Sequence, residues 1–258
     1  MREKDSNQNQ IFDIVVLSGK ILLENGAEIY RVEETMKIIA RHYNINELDV
    51  FAMANGIFTS MLIEGEGIRT GRSMHIPISP VHLGRVTAVN NISREIINGK
   101  YTVEEAIEAL KVVEAIPYET NLLRILFAGV GSAAFGYMLG GTLNDSLVSF
   151  IAGIILYTFI IRMQKVAIPE ILKNAFGSAL VTTISILLYS IGLGTDLDHI
   201  MIGSIICLVP GVSFTTSVRN YFAGDYLSGT VRLVNALLVS LSISVGVGSV
   251  MMIFQMLR

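Results

Sequence analysis

The stretch 208–235, LVPGVSFTTSVRNYFAGDYLSGTVRLVN, concentrates side chains that could bind a small polar molecule. Arg219 and Arg232 each offer a guanidinium fork that matches a carboxylate in bidentate geometry. Asp225 could carry a coupling proton or meet a substrate ammonium. Ser213, Thr215, Thr216, Ser217 and Ser228 supply hydroxyls that serve either a ligand or backbone groups freed by a break. That break is signalled by Pro210, which removes a helix hydrogen bond, and by Gly211 beside it, which lets the backbone turn. Residue by residue, an ordinary water-facing loop would account for Arg219, Asp225 and Arg232 equally well. The combination of a Pro-Gly break, hydroxyls and the tight GDxxSG turn favours a substrate site.

A helix broken at membrane depth is tolerated where it faces protein or a wet cavity, so the segments around it must be apolar. They are. Residues 123–258 hold 7 Lys+Arg and 5 Asp+Glu. That is about 9% charged, against about 25% in an average soluble domain. Residues 1–122 hold 12 Lys+Arg and 17 Asp+Glu, an ordinary soluble density. The chain as a whole has a net charge of −3 and a mean hydropathy of +0.57. The fold expected is an α+β cytoplasmic domain at 1–118 followed by an all-α membrane domain at 119–258. The expected spans, 122–140, 147–161, 176–193, 200–218 and 231–257, are five, the fourth broken at Pro210-Gly211. The stretch GVGSAAFG at 129–136 has no strand before it and reads as helix-packing glycines rather than a phosphate loop.

Ahead of the spans, Ile11–Asn25 and residues 26–43 have helical apolar spacing, the first closed by Asn25-Gly26. Val50–Ala54 and Ile57–Glu64 alternate as strands around the turn Asn55-Gly56, with Ile68–Ile76 a third. Ser79-Pro80 is expected to start a helix, and Thr102-x-x-Glu105 has capping-box spacing before another. Glu28, Arg31, Glu33, Glu34 and Lys37 crowd one helix. They form either a polar site facing a substrate path or a solvated face tied by pairs such as Glu33 with Lys37.

Several classes are excluded. A weakly acidic chain is no nucleic-acid binder. One cysteine gives no disulfide framework, and four histidines at no ligand spacing give no metal site. There is no nucleotide-binding lysine loop and no nucleophile elbow, so no cofactor is expected. Asp145, Asp196 and Asp198 read as water-facing loop acids, and Cys207 as an apolar filler.

GAEIYRVEETM at 26–36 and LVPGVSFTTSVRNYFAGDYLSGTVRL at 208–233 resemble the two signatures of the threonine/serine exporter family. The likeness runs from about residue 11 to 255. It implies an inner-membrane exporter of small polar metabolites with a cytoplasmic N-terminal domain. Single-chain members resemble two fused membrane halves with about ten spans, whereas split members use two polypeptides. This chain resembles the larger polypeptide of the split type, whose relatives include an exporter of the dicarboxylate succinate. A smaller partner of about four or five spans is then implied, although a homo-oligomer could also complete a pathway. Glu28, Arg31 and Glu33 fall on the first signature; Pro210, Gly211, Arg219, Gly224, Asp225, Ser228 and Arg232 fall on the second. Asn220 stands where the family usually has Asp.

The function expected is a subunit of a proton-coupled secondary transporter for threonine, serine or a dicarboxylate. The alternatives are a membrane-anchored hydrolase or a regulatory module, the soluble part being active in either. Basic residues set the orientation. Arg162, Lys165 and Lys173 fall between the second and third spans and Arg219 after the fourth, while 141–146 and 194–199 have no Lys or Arg. The N-terminus is thus expected in the cytoplasm and the C-terminus outside. A reporter fused after Arg258 should be active only outside the inner membrane; cytoplasmic activity would overturn this orientation.

Overall fold

The computed structural model describes residues 2–63, 68–77 and 81–257, and the expected helix start at Ser79-Pro80 lies outside them. The chain divides into two compact units, Met1–Tyr118 and Glu119–Arg258.

The first unit opens with α1 (Arg2–Glu24) and α2 (Ile29–His42). No Gly or Pro interrupts residues 2–18, so α1 starts well before the apolar spacing does. It ends as expected at Asn25-Gly26, where Gly26 takes φ +87 and Ala27 N donates back to Leu22 O at 2.9 Å. The two helices approach closely because Gly19 has no side chain; a Cβ there would overlap Met36 Sδ. Three strands follow, β1 (Leu48–Met53), β2 (Gly56–Ile63) and β3 (Ile68–His75), in an antiparallel meander. Met53 pairs with Gly56, so the hairpin turn is Ala54-Asn55, one residue earlier than the Asn-Gly pair suggests. Gly56 belongs to β2 because a Cβ there would lie 2.9 Å from Met74 O on β3. The helices α3 (Leu83–Ile97) and α4 (Val103–Glu114) complete the unit. One core joins them all, with Ile14, Ile21, Val32, Ile39, Ile57, Ile96 and Leu110 fully buried.

His82 caps α3. Its Nδ1 accepts from Arg85 N at 3.3 Å, so the proton sits on Nε2 and donates to Pro117 O at 3.2 Å. Arg85 donates to Ile116 O and to Asn25 Oδ1 and lies over the Tyr118 ring. The last residues of the unit are thereby tied to the end of α1.

The second unit comprises α5 (Asn121–Met138), α6 (Leu143–Met163), α7 (Glu170–Ser190), α8 (Leu197–Ile205), a 3-10 turn (Ile206–Leu208), α9 (Gly211–Phe222) and α10 (Tyr226–Leu257). α5 packs on α6, α7 and α9 pack on α10, and α8 lies against α5, α6 and α7. Small residues allow this. A Cβ on Gly203 of α8 would come 2.8 Å from Gly136 Cα of α5, and one on Gly246 of α10 would overlap Ser178 of α7.

The expectation of an α+β cytoplasmic domain followed by an all-α domain of five spans is corrected. Among the described residues helix dominates, with ten α-helices against one small three-stranded sheet. The polar start of α1, which has no apolar spacing, is helical as well. Among the described residues four helices are long and apolar enough to cross a membrane. The fifth segment, read as one helix broken at Pro210-Gly211, is two short helices bent by 63°. The bend is carried by Val209 and Pro210, whose ψ values are 125 and 51. Gly211 is not the flexible element: it begins α9 and has no positive φ.

Thr102 and Glu105 form the expected capping box, with both hydrogen bonds present. Donation from the Thr102 backbone and hydroxyl holds the Glu105 carboxyl below its ordinary pKa. A depressed folded-state pKa stabilises above the unfolded value and is lost as pH falls through the folded one. Glu105→Ala should therefore lower the unfolding midpoint at neutral pH. The gap from wild type should narrow in denaturant titrations as pH falls below the ordinary carboxylate range.

Candidate functional site

The polar residues on α2 do not converge. Glu33 Oε1 accepts from Ala52 N of β1 at 2.9 Å. β1 is an edge strand, and Glu33 satisfies one of its unpaired N–H groups. Arg31 lies 3.4 Å from Glu28 and donates to Tyr30 Oη at 3.1 Å, an exposed local cluster. Glu33 is thus occupied by the sheet, away from Arg31 and Glu28. Lys37 of α2 does line an open concavity of about 530 Å³, together with Asp49, Phe51, Phe58 and Arg72 of the sheet. Phe51 and Phe58, with ring centroids 6.4 Å apart, cover part of its floor.

In the second unit one acid is far from its expected setting. Asp145 is fully buried rather than water-facing. Its Oδ2 accepts from Thr142 N at 2.9 Å, Thr142 Oγ1 at 2.7 Å and Thr195 Oγ1 at 2.8 Å. Its Oδ1 accepts from Thr195 N at 2.6 Å and Asp196 N at 3.0 Å. The carboxylate closes a capping box at the start of α6 and clasps the loop that leads into α8. The signal was present in the sequence as Thr142-x-x-Asp145, the capping spacing at the head of an apolar run. Asp196 caps α8 and lies 3.1 Å from His199 Nδ1, within ion-pair range but off hydrogen-bond alignment. Every polar arm of Asp145 is filled, so it is a structural acid with no capacity left for a ligand.

The junction of α9 and α10 is the opposite case. α9 ends at Phe222, and Gly224 takes φ +80 so that Asp225 N can donate to Asn220 O at 2.9 Å. Asp225 Oδ1 then accepts from Ser228 N at 3.1 Å, in the manner of an N-cap on α10. Ser217 Oγ donates to Gly229 O at 2.9 Å, and Tyr221 Oη pairs with Thr230 Oγ1 at 3.0 Å, so the two helices are locked face to face. In this lock four buried polar atoms have no partner: Asn220 Nδ2, Asp225 Oδ2, Ser228 Oγ and Arg232 Nε. Ser228 has no exposed surface, and the charge of Asp225 is close enough to act on Arg232. Leaving such an atom unpaired costs about 1–3 kcal/mol. Four of the unpaired buried polar atoms among the described residues thus fall within this one hairpin.

The other residues of the second signature lie outside this group. Arg219 is exposed in the last turn of α9. Thr215 is exposed and donates to Gly211 O and Val212 O of its own helix. Thr216 is half-buried, and Pro210 with Gly211 sits at the far end of α9. Asn220 was missed as a site residue because an asparagine in an amphipathic helix carries no chemical signature. Its burial is a tertiary fact.

A family model described as "Putative threonine/serine exporter" matches residues 13–254. The chain belongs to the threonine/serine exporter family. This is a family of transporters, not enzymes, which removes the hydrolase alternative. With four apolar helices, or five counting the bent pair, the chain is a multi-pass membrane protein. It is 20% identical to a "Probable threonine/serine exporter" of Mycobacterium tuberculosis, covering 94% of this chain and 46% of that one. It is 22% identical to the "Threonine/serine exporter" of Corynebacterium glutamicum, covering 92% and 50%. It is 23% identical to the "Probable succinate transporter subunit YjjP" of Klebsiella aerogenes, covering 96% and 95%. The chain therefore spans about half the length of the exporters it matches and nearly all of that transporter subunit. No solved structure matches it.

Asp145→Ala should strand the N–H groups of Thr195 and Asp196, lowering the stability of the second unit by roughly 2–4 kcal/mol. A melting midpoint in detergent no lower than wild type would show that the clasp is dispensable.

Proposed function

We propose that the chain is the larger subunit of a secondary transporter of the inner membrane. It exports a small carboxylate-bearing metabolite, either threonine or serine or a dicarboxylate such as succinate. The observation that carries this reading is the unfilled polar hairpin of α9 and α10. It offers a donor on Arg232, a donor and acceptor on Ser228, and an open carboxylate oxygen on Asp225. Such a set suits a ligand with one anionic group and one hydrogen-bond donor. Asp225 is half used, its Oδ1 capping α10, and its free Oδ2 is the proposed carrier of the coupling proton.

A second, smaller membrane subunit is proposed to complete the pathway. The reading is supported by the near full-length likeness to a protein named a transporter subunit, against half-length likeness to the exporters. The N-terminus is proposed to lie in the cytoplasm and the C-terminus outside, on the distribution of Lys and Arg among the loops.

Uptake of labelled threonine and succinate into inverted vesicles, with and without a candidate smaller membrane subunit, tests the proposal. Arg232→Ala should cut uptake at least about tenfold, the value of one lost charge-assisted hydrogen bond. Asp225→Asn should abolish its dependence on external pH. Unchanged uptake and pH dependence in both variants would place the substrate elsewhere.

A further inference from the structure

Asn220 is 7% exposed and its amide Nδ2 donates to nothing, although it sits in a helix whose neighbouring turns offer carbonyls. The chain shows what a purely structural buried asparagine does. Asn25, 1% exposed, donates its Nδ2 to Ile21 O at 2.7 Å and accepts from Arg85 on Oδ1. Asn220 keeps its donor open instead. Its placement says toward what. Ser217, one turn earlier, donates to Gly229 O of α10, and Tyr221 beside it pairs with Thr230. Residues three apart share a helix face, so Asn220 is on the side of α9 that meets α10. There its backbone carbonyl receives Asp225 N, and Asp225 at the head of α10 and Ser228 and Arg232 on it follow at spacings of three and four residues.

We infer that Asn220 contacts the substrate and sets the charge that the site accepts: its Nδ2, together with Arg232 Nε, donates to a substrate carboxylate. This rests on the α9–α10 hairpin being the transport site. Among the four unpaired groups there is one cation, Arg232, and one anion, Asp225; Arg219, on α9, is exposed and outside this group. A neutral amide at 220 adds a donor without adding charge, so an anionic group is drawn in by Arg232 and repelled only by Asp225. A second carboxylate at 220 would turn a donor into an acceptor and set two buried acids beside Arg232, which weakens the pull on an anionic group. Asn220 therefore acts by sign of charge rather than by size.

The test uses the purified full-length chain in detergent, with the melting midpoint followed against succinate and against threonine. Wild type should be stabilised by at least one of them. Asn220→Asp should weaken binding roughly tenfold or more, and the dianion should suffer more than the zwitterion where both bind. Asn220→Gln, which keeps the donor, should hold affinity within about threefold, less than the loss of one donor brings. A merely structural role would weaken both ligands alike in every variant, and that result overturns the inference. So does wild-type affinity in Asn220→Asp. Should that variant not fold, Asn220→Ser, which shortens the donor's reach, must show the loss; unchanged affinity there also overturns it. Wild type stabilised by neither ligand overturns the carboxylate reading of the hairpin itself, a result distinct from binding that ignores position 220.

Discussion

The Asp145 carboxylate, held by five hydrogen bonds from Thr142, Thr195 and Asp196, is the contact on which the order of the second unit depends. An acid with no exposed surface in an apolar bundle is tolerable only when its lone pairs are filled. Filling them requires the start of α6 and the loop before α8 to meet. Once they meet, α8 is held against α5, and Gly136 and Gly203 can close their gap. The bend at Val209 and Pro210 follows from that placement. α8 is fixed at its N-terminus, so the chain must turn before α9 can lie along α10.

The same unit that fills Asp145 completely leaves Asn220, Asp225, Ser228 and Arg232 short of partners. Buried polar groups in native proteins are almost always bonded. The difference between the two clusters is therefore informative in a way that neither residue type nor position in the chain is. Both contain an aspartate capping a helix. One is closed by neighbouring threonines, and the other is not.

Much of the local structure could be read from the sequence. Thr102 and Glu105 announce their box by spacing, Asn25-Gly26 announces the end of α1, and Pro210 announces a break. These signals act over three or four residues. What was illegible acts over longer distances. Glu33 serves an edge strand nineteen residues away, and the hairpin turn moved to Ala54-Asn55 because β3 presses on Gly56. The expected break at Pro210-Gly211 is a bend of 63° between two short helices, since hydropathy counts apolar residues but not direction. Of the residues the motif singled out, Asp225, Ser228 and Arg232 carry unpaired buried polar atoms in the hairpin. Arg219 and Thr215 were chosen on the same grounds and lie exposed on α9. Their difference is one of helix phase, which the motif alone does not encode.

Asp225 is held in place yet only half satisfied. One of its oxygens is committed to Ser228 N, which fixes the side chain at the head of α10 and complements the positive end of that helix. The other is buried and unspent. A carboxylate free on both sides would swing out to solvent, and one filled on both sides, like Asp145, has nothing to offer. Half-commitment gives a charge with a fixed direction. Arg232 lies about two turns further along α10, close enough for the charge of Asp225 to act on its guanidinium.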